Sequence, residues 1–444
     1  MINLKLANKF FLIILFSSLL ISFFTKFFID NELISNILVA FNSLLVLFFI
    51  LSNFKYNSIK FLLILFFLLR LFLLYLDFYG KEFFNILHSG GDSERFYALG
   101  IYISKDLSLM SEISYTKYTD FLGILYWIIG DQRLFSQFIN VILGMWSIFV
   151  FYKILGLFNL KDSKKLFFFT LYALYPQNII LSSILLREEL IQFFFIYSIF
   201  FFLKWLKTYS RSYIFLTLLF ALLSSYFHSG MIFSVLVFCY MFLFLNAKNH
   251  KFIYSFNRLA IFILCAGLIF TIIANNPSLL DEKFSILQKV DIDIGLIEMY
   301  ESTSSANEAG GSSYLKNFEI SSFADFLIFA PLKLIYFIFS PMPYDVRGLG
   351  DLIAILIDSS IYYFLIFKIF KNRKIVSNNK FRAFPKVFFI LFLIVSLGFS
   401  FGTETSGTAM RHRAKIFPAL LVAVVFIESI KGTKNSIWND KQII

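Results

Sequence analysis

The sequence predicts an all-α, polytopic helical membrane protein, and three observations support this fold class. Of its 444 residues, 59% are hydrophobic, only 15% are charged and 64 are phenylalanine. The apolar residues fall in runs of about 17–25, the length that a helix needs to cross a bilayer. Short polar turns separate the runs, and backbone groups in lipid are satisfied only if each run is helical. This composition excludes the soluble globular class.

Twelve apolar runs predict about twelve transmembrane helices. They are residues 10–29, 34–54, 61–79, 134–157, 166–185, 189–206, 213–228, 230–247, 259–275, 350–370, 386–402 and 414–430. Lys5 and Lys9 precede the first run, as in a signal peptide, but Phe23, Phe24 and Lys26 stand where a small-residue cleavage site belongs. We therefore expect the first run to remain as an uncleaved anchor.

The basic residues of the turns set the expected orientation, because short loops rich in Lys and Arg stay in the cytoplasm. They cluster in alternate turns, among them 161–165, 204–211 and 371–382. Both termini are then cytoplasmic, provided that 323–349 enters and leaves on the outer side as a re-entrant or interfacial segment. The heavy use of Phe, Ile, Leu, Lys and Asn is typical of an AT-rich bacterial genome. We therefore expect the protein in a bacterial inner (cytoplasmic) membrane. The net charge of +12 is a topology signal and does not indicate nucleic acid as a partner.

Residues 1–444 are expected to form a single integral membrane domain with two long extracytoplasmic segments. Segment 80–133 contains Tyr118–Ile129, an apolar piece too short to cross, which predicts an interfacial or re-entrant helix. Segment 276–322 is acidic in its middle and has the length of a lid or binding loop.

Asp92 and Glu94 are the candidate catalytic residues. They lie in the sequence Gly91-Asp92-Ser93-Glu94-Arg95, directly after the third predicted crossing and on its outer side. A carboxylate held near a substrate hydroxyl serves as a general base or binds a metal. The alternative is a solvated loop with no chemical role. Nothing in the sequence requires a metal or a cofactor.

Arg411, His412, Arg413 and Lys415 form the strongest candidate binding cluster. They begin the last predicted crossing on the outer side, against the usual distribution of positive charge. Arginine binds phosphate oxygens through two parallel hydrogen bonds, and lysine adds a point charge. The alternative is attraction to anionic lipid. The remaining candidates for substrate binding, each with an equally simple structural explanation, are Arg95, Arg187, Glu188, His228 and Arg347.

Arg70 lies in the middle of a predicted crossing, where a charge is costly. Asp77 follows two helical turns later on the same face. Arg70 and Asp77 therefore either form an ion pair with each other or have separate partners. Apart from Arg70, the sequence shows little polarity at mid-membrane depth, which disfavours a transport path.

The order of these motifs resembles the GT-C superfamily of polytopic glycosyltransferases. The resemblance rests on Gly91-Asp92-Ser93-Glu94-Arg95-Phe96-Tyr97, on Tyr118–Asp131 and on Leu174-Tyr175-Pro176 leading to Arg187-Glu188. It implies a GT-C-like fold and a polyprenyl-linked sugar donor, with an essential acidic residue at Asp92 or Glu94. Two extra crossings before the acidic loop and the absence of an Asp-Glu pair depart from that pattern.

The second half resembles the Wzy-type oligosaccharide repeat-unit polymerases of O-antigen and capsule clusters. The similar segments are Ser340–Tyr344 and Gly407–Lys415. This resemblance implies polymerisation of undecaprenyl-diphosphate-linked repeat units on the extracytoplasmic face, with outer arginines at the diphosphate and a chain-length regulator protein as a possible partner. A GT-C transferase of single sugars and a lipid-linked oligosaccharide flippase are the alternatives.

Overall fold

A computed structural model of the chain describes residues 4–110, 116–246, 248–275, 323–346, 348–377, 381, 383–403 and 405–432. The predicted extracytoplasmic loop 276–322 and the candidate Arg347 lie outside the described residues.

The regular secondary structure of the described residues is helical apart from one small hairpin, which confirms the all-α class. The helices are α1 Leu4–Thr25, α2 Asn31–Asn53, α3 Asn57–Tyr79, α4 Gly91–Lys105, α5 Lys117–Ile129, α6 Arg133–Gly156, α7 Asp162–Ala173, α8 Pro176–Leu181, α9 Glu188–Thr208, α10 Arg211–Phe227, α11 Ile232–Phe244, α12 Phe256–Asn275, α13 Phe323–Phe339, α14 Leu349–Ile353, α15 Ser360–Lys371, α16 Arg373–Ser377, α17 Ala383–Phe401 and α18 Ser406–Gly432. A π-helical turn, Ala354–Ser359, joins α14 to α15, and the antiparallel strands β1 Leu245–Asn246 and β2 Lys251–Phe252 form the hairpin.

Seven helices in the described part of the chain are long and apolar enough to cross a membrane. They are α1, α2, α3, α6, α9, Asp351–Lys371 and α17. Three of the expected crossings appear as shorter apolar helices or parts of them, at Arg211–Phe227, Ser229–Phe244 and Phe256–Leu268 in the described chain. The segment expected to be re-entrant or interfacial contains the apolar helix Ile328–Phe339. Helix α18 is long enough, but it carries Arg411, Arg413, Lys415, Glu428 and Lys431 and is not among the seven. A multi-pass membrane protein is thus supported, but a total of twelve crossings is not.

The contacts distinguish two compact units where the sequence predicts a single membrane domain. The first unit comprises 1–153 and 162–193, and the second comprises 154–161 and 194–444. Each unit contains helices that are apolar enough to cross a membrane.

Helices α4 and α5 pack closely in the first unit because glycines stand at their contact. A Cβ atom on Gly123 would lie 2.3 Å from Cγ2 of Ile103, and one on Gly100 would lie 2.9 Å from Cβ of Leu122. Helix α5 has 13 residues, about 20 Å at the usual helical rise, and agrees with the expected short apolar helix. Helix α4 was not expected, because the polarity of 91–105 has no clear helical period.

The predicted crossing at 166–185 is interrupted in the structure. Helix α7 ends at Ala173, the short α8 ends at Leu181, and residues 182–187 are not helical. Unpaired carbonyls at membrane depth are costly, and irregular backbone is tolerated there only when protein covers and satisfies it. Asn140 meets that need, because its Nδ2 donates to the carbonyl oxygens of Ile184 and Leu186 at 2.9 Å each.

Arg70 supports the same interruption from α3. Its guanidinium donates to Ser182 Oγ at 2.9 Å and to the carbonyl oxygen of Ala173 at 3.3 Å. Asp77, fully buried, accepts instead from Nε2 of Gln137 at 2.6 Å. Arg70 and Asp77 therefore have separate partners. Uncharged polar residues also fill this interior, namely Ser147, Asn178 and Gln192. Counting charges along the sequence could not detect them.

In the second unit, α18 is buried along most of its length and packs against α13, α15 and α17. The ring centroid of Phe426 lies 5.6 Å from that of Phe388 on α17 and 4.6 Å from that of Phe158. Towards the end of α18, the carboxylate of Glu428 is paired with Lys368 at 3.6 Å and with Lys431 at 3.7 Å. A helix so enclosed can carry charges because protein groups surround them.

Candidate functional site

The first turn of α4 holds both predicted catalytic carboxylates. Gly90 and Gly91 have φ values of +88° and +36°, a backbone conformation that favours glycine and allows the chain to turn sharply into the helix. Ser93 closes this turn, because its Oγ donates to the carbonyl oxygen of Gly90 at 3.0 Å. Asp92 is half-buried at the start of the helix, and Arg95 is exposed.

Glu94 forms ion pairs with two cations that the sequence did not single out. Arg133, at the start of α6, donates from Nη1 and Nη2 to the two carboxylate oxygens of Glu94, each at 2.6 Å. Lys81, in the segment after α3, pairs with the same carboxylate. The hydrogen bonds from Arg133, followed by those from Lys81, outweigh partial burial and lower the pKa of Glu94 to about 2. Glu94 is therefore ionised at any physiological pH and is a weak proton acceptor.

A polar cavity of about 500 Å³ opens beside this ion-pair group in the first unit. Its volume falls within the range of about 300–1,000 Å³ that is common for small-ligand pockets. The lining residues come from the ends of four helices and the turns between them: Asp30, Asn31, Glu32, Ser35, Phe78, Lys81, Tyr97, Asp131, Arg133 and Leu134. The cavity thus contains carboxylates, an amide, hydroxyls, two cations and two aromatic rings.

Tyr97 and Asp131 are paired at the edge of this cavity. The Tyr97 hydroxyl donates to Oδ1 of Asp131 at 2.7 Å. Burial and this hydrogen bond together raise the pKa of Tyr97 well above its usual value, so the phenol keeps its proton. Tyr97 lies one helical turn after Glu94, which explains why α4 presents both side chains to the same side.

Sequence reasoning missed the residues that line the cavity. The available signal was the charged turn Gly130-Asp131-Gln132-Arg133 between α5 and α6, together with Asp30 and Lys81 at two other helix ends. Each is an ordinary boundary residue when read alone. Only the packing of α2, α3, α4 and α6 brings them around one space.

Two further predicted residues lie beside α4. The guanidinium carbon of Arg187 lies 5.9 Å from the ring centroid of Phe96, and Arg187 is half-buried. Glu188, the first residue of α9, is only 1% exposed, which argues against direct contact with a substrate. His88 lies before the helix and its Nε2 is 3.1 Å from Oε1 of Gln177. The structure therefore places Asp92, Glu94, Arg95, Arg187 and Glu188 in the first unit.

The second unit contains the other cluster, around the ring of His412. The His412 and His228 ring centroids are 4.9 Å apart, and Phe399 lies 4.8 Å from His412 and 5.0 Å from His228. Oγ1 of Thr403 is 3.3 Å from Nδ1 of His412. His228 is buried in its turn and accepts from the backbone N–H of Gly230 at 3.2 Å. These two predicted residues are brought together across 184 positions of sequence.

Arg413 has contacts that are internal to the second unit. Its side chain is fully buried and forms an ion pair with Asp358, and it donates to the carbonyl oxygen of Ile338 at 2.9 Å. The Tyr362 ring lies 5.1 Å from the guanidinium carbon. These contacts favour a structural role for Arg413 over the predicted contact with diphosphate.

The neighbours of Arg413 differ from it in exposure. Lys415 is 1% exposed, and its Nζ lies 5.4 Å from the ring centroid of Phe399. Arg411 and His412 are half-buried. Arg411 is thus the arginine of this group that a ligand can reach more readily. In the part of the chain that the structure describes, no three His, Cys, Asp or Glu side chains are grouped as a metal site requires.

No family model, no curated protein and no solved structure matches this chain.

Proposed function

We propose that this protein is a membrane glycosyltransferase that polymerises undecaprenyl-diphosphate-linked oligosaccharide repeat units of a surface polysaccharide at the extracytoplasmic face. The observation that carries the proposal is the polar cavity of about 500 Å³ at the end of helices that are apolar enough to cross a membrane. A substrate attached to a polyprenyl lipid reaches such a site by diffusion within the bilayer.

The chemistry of the cavity supports a saccharide ligand. Sugar hydroxyls are both donors and acceptors, and Asp131, Asn31 and Glu32 offer planar acceptor groups to them. Phe78 and Tyr97 add aromatic surface for the apolar face of a sugar ring. The size suits one or two sugar units, which is the portion of a repeat unit that takes part in the reaction.

The proposed transfer joins an acceptor hydroxyl to the anomeric carbon of the donor. The hydroxyl oxygen forms the new bond, the bond from the anomeric carbon to the diphosphate oxygen breaks, and the proton passes to a carboxylate. We assign that carboxylate to Asp92, since the ion pairs with Arg133 and Lys81 lower the pKa of Glu94 and make it a weak proton acceptor. Glu94 then acts as a positioning residue that fixes the two cations.

Arg187, in the same unit as Asp92, is the cation that we assign to the diphosphate, and Arg411 of the second unit stays a candidate substrate-binding residue. Both are half-buried, whereas Arg413 and Lys415 are buried in the second unit. Positive charge near the leaving oxygen stabilises the negative charge that develops on the diphosphate. His228 and His412 stay candidate binding residues through their shared ring contact.

The test is to complement a deletion strain with the full chain or its variants and to separate the surface glycan by size. We expect Asp92→Asn and Arg411→Gln to abolish the ladder while a single repeat unit is still displayed. Asp162→Asn and Arg211→Gln are the matched controls, because both residues are exposed at helix starts away from either cluster, and they should keep the ladder. A normal ladder with Asp92→Asn would remove that residue from the mechanism.

The same gel distinguishes the alternatives. A full ladder that lacks one sugar would indicate a single-sugar transferase, and repeat units trapped on the cytoplasmic face would indicate a flippase. The polar interior of the first unit does not itself favour transport, because Asn140 and Arg70 are used to satisfy interrupted backbone.

A further inference from the structure

The cavity of the first unit is rich in hydrogen-bond acceptors. Three of its lining residues are carboxylates, namely Asp30, Glu32 and Asp131. Asp131 accepts from Tyr97 at 2.7 Å, and Oε1 of Glu32 accepts from the Tyr79 hydroxyl at 2.9 Å. An ionised carboxylate has about four acceptor positions, so each of these groups can accept further hydrogen bonds from a ligand.

Asn31 adds another acceptor to the lining. Its Oδ1 is buried and has no hydrogen-bond partner among the residues that the structure describes. Gly130 leaves room for this oxygen, because a Cβ on Gly130 would lie 2.7 Å from it. A buried acceptor without a partner costs free energy in the ligand-free protein.

The charged ends of the two cations of the lining are already paired. Arg133 and Lys81 both bind Glu94, and Asp77 attracts Arg133 electrostatically. Four carboxylates, those of Asp30, Glu32, Glu94 and Asp131, therefore stand against two cations around the cavity. An excess of negative charge and of acceptors favours ligands that donate hydrogen bonds and disfavours anions.

We propose that this cavity binds a sugar that is neutral or carries an amino group, and that it rejects acidic sugars such as uronic acids. The inference rests on the proposed function and specifies the substrate class of the same site. Neutral hydroxyls donate to Asp131 and Glu32, and an ammonium group gains the attraction of the carboxylates. A sugar carboxylate meets like charge at close range and has no unengaged cation in the lining.

The experiment compares three methyl glycosides that share one ring and differ in charge. Methyl glucoside, methyl glucosaminide and methyl glucuronide are titrated against the detergent-solubilised full chain, and binding is followed by saturation-transfer NMR. We expect the neutral and amino sugars to bind, and the glucuronide to bind at least about tenfold more weakly because of like-charge repulsion. Equal or tighter binding of the glucuronide would overturn the proposal, as would the absence of binding by all three.

A variant tests whether the carboxylates cause the discrimination. Glu32→Gln with Asp131→Asn should bring the glucuronide affinity to within about threefold of that of the glucoside, because the like charge is removed at both positions. Asp162→Asn is the matched control and should leave the discrimination unchanged. Unchanged discrimination in the double variant would contradict the proposal. If the double variant does not fold, the single change Glu32→Gln at an exposed position gives the same comparison with a smaller expected shift in glucuronide affinity.

Two measurements, the glycan ladder and the binding of the three sugars, keep this inference separate from the proposed function. A glycan ladder that depends on Asp92, together with equal binding of all three sugars, would refute the specificity and leave the polymerase proposal in place. Discrimination between the sugars, together with a ladder that Asp92→Asn leaves unchanged, would support the specificity and remove Asp92 from the proposed mechanism.

Discussion

Arg133 binds both carboxylate oxygens of Glu94, from Nη1 to Oε2 and from Nη2 to Oε1, with each hydrogen bond 2.6 Å long. Such a two-point contact fixes the orientation of both side chains more strongly than a single hydrogen bond does. It joins the first turn of α4 to the first turn of α6 beside the cavity. The pair therefore determines where the positive charge of Arg133 stands relative to the cavity.

Replacement of Glu94 by Gln is expected to lower the stability of the protein in a pH-dependent way. The pKa of Glu94 in the folded protein is about 2, below its value of 4.5 in an unfolded chain, so ionised Glu94 stabilises the fold above pH 4.5. That contribution declines as the pH falls and is lost near pH 2. Because the Glu94 side chain is 44% exposed, solvent screening limits the contribution to roughly 1 kcal/mol.

The measurement is thermal unfolding of the wild type and of Glu94→Gln in detergent at several pH values. The difference in melting temperature should be constant between pH 5 and 8 and should shrink below about pH 4.5. Glu82→Gln, an exposed neighbour, is the control and should show no such difference. A difference that grows on acidification would contradict the ion pair.

We expect Arg413→Ala to lose folded protein and Arg411→Ala to lose only activity. Arg413 is fully buried and paired with Asp358, so its removal leaves an uncompensated charge and costs about 3–5 kcal/mol. We expect loss of folded protein on size-exclusion chromatography. Arg411→Ala should fold normally and lose the glycan ladder.

The double variant Arg413→Met with Asp358→Leu checks the cause of that loss. Removing both charges leaves neither one unpaired, so part of the folded yield should return. A folded Arg413→Ala protein that only lacks activity would instead support the sequence-based assignment of Arg413 to the substrate.

Gly123→Ala should disturb the contact between α4 and α5. The new Cβ would lie 2.3 Å from Cγ2 of Ile103, too close for any side-chain contact, and we expect destabilisation of about 1–3 kcal/mol. Gly267→Ala on α12 is the matched control, because no atom lies within 4 Å of its added Cβ. Thermal unfolding compares the two, and equal melting temperatures would argue against the close packing.

Trp127 is expected to lie at the depth of the lipid headgroups. It is 51% exposed at the end of α5, and the loops of the same unit carry Phe28 and Phe83, which are 86% and 88% exposed. Exposed aromatic side chains near the ends of membrane helices are typical of the interface between lipid and water. Lys26 donates to the backbone carbonyl of Trp127 at 2.6 Å, which adds a polar anchor.

Fluorescence quenching by spin-labelled lipids tests this depth in reconstituted vesicles. The signal of Trp127 is the difference between the wild type and Trp127→Phe, and a label near the headgroup should quench it more than a label at the end of the acyl chain. Trp146 and Trp205, at 6% and 7% exposure, are shielded and provide the internal reference. Stronger quenching by the deep label would place this end of α5 inside the hydrocarbon core.

The sequence by itself determined the class of this protein and the positions of most of its helices. Long apolar runs can satisfy their backbone in lipid only as helices, so composition and length suffice to predict α1, α2, α3, α6, α9 and α17. Charge also identified Asp92, Glu94 and Arg411 as unusual, because charged residues near the membrane are costly unless they have partners. Neither observation depends on which helices are neighbours.

Only the tertiary structure decided which of these groups meet. The break at 182–187 depends on Asn140, a residue of another helix that is polar but uncharged and therefore inconspicuous in an apolar run. The positive charges of Arg413 and Arg411 predicted the same role for both, yet packing buried the first against Asp358 and left the second half-buried. Hydrogen bonds and ion pairs between distant residues depend on three-dimensional distance, and no pattern along one chain encodes that distance directly.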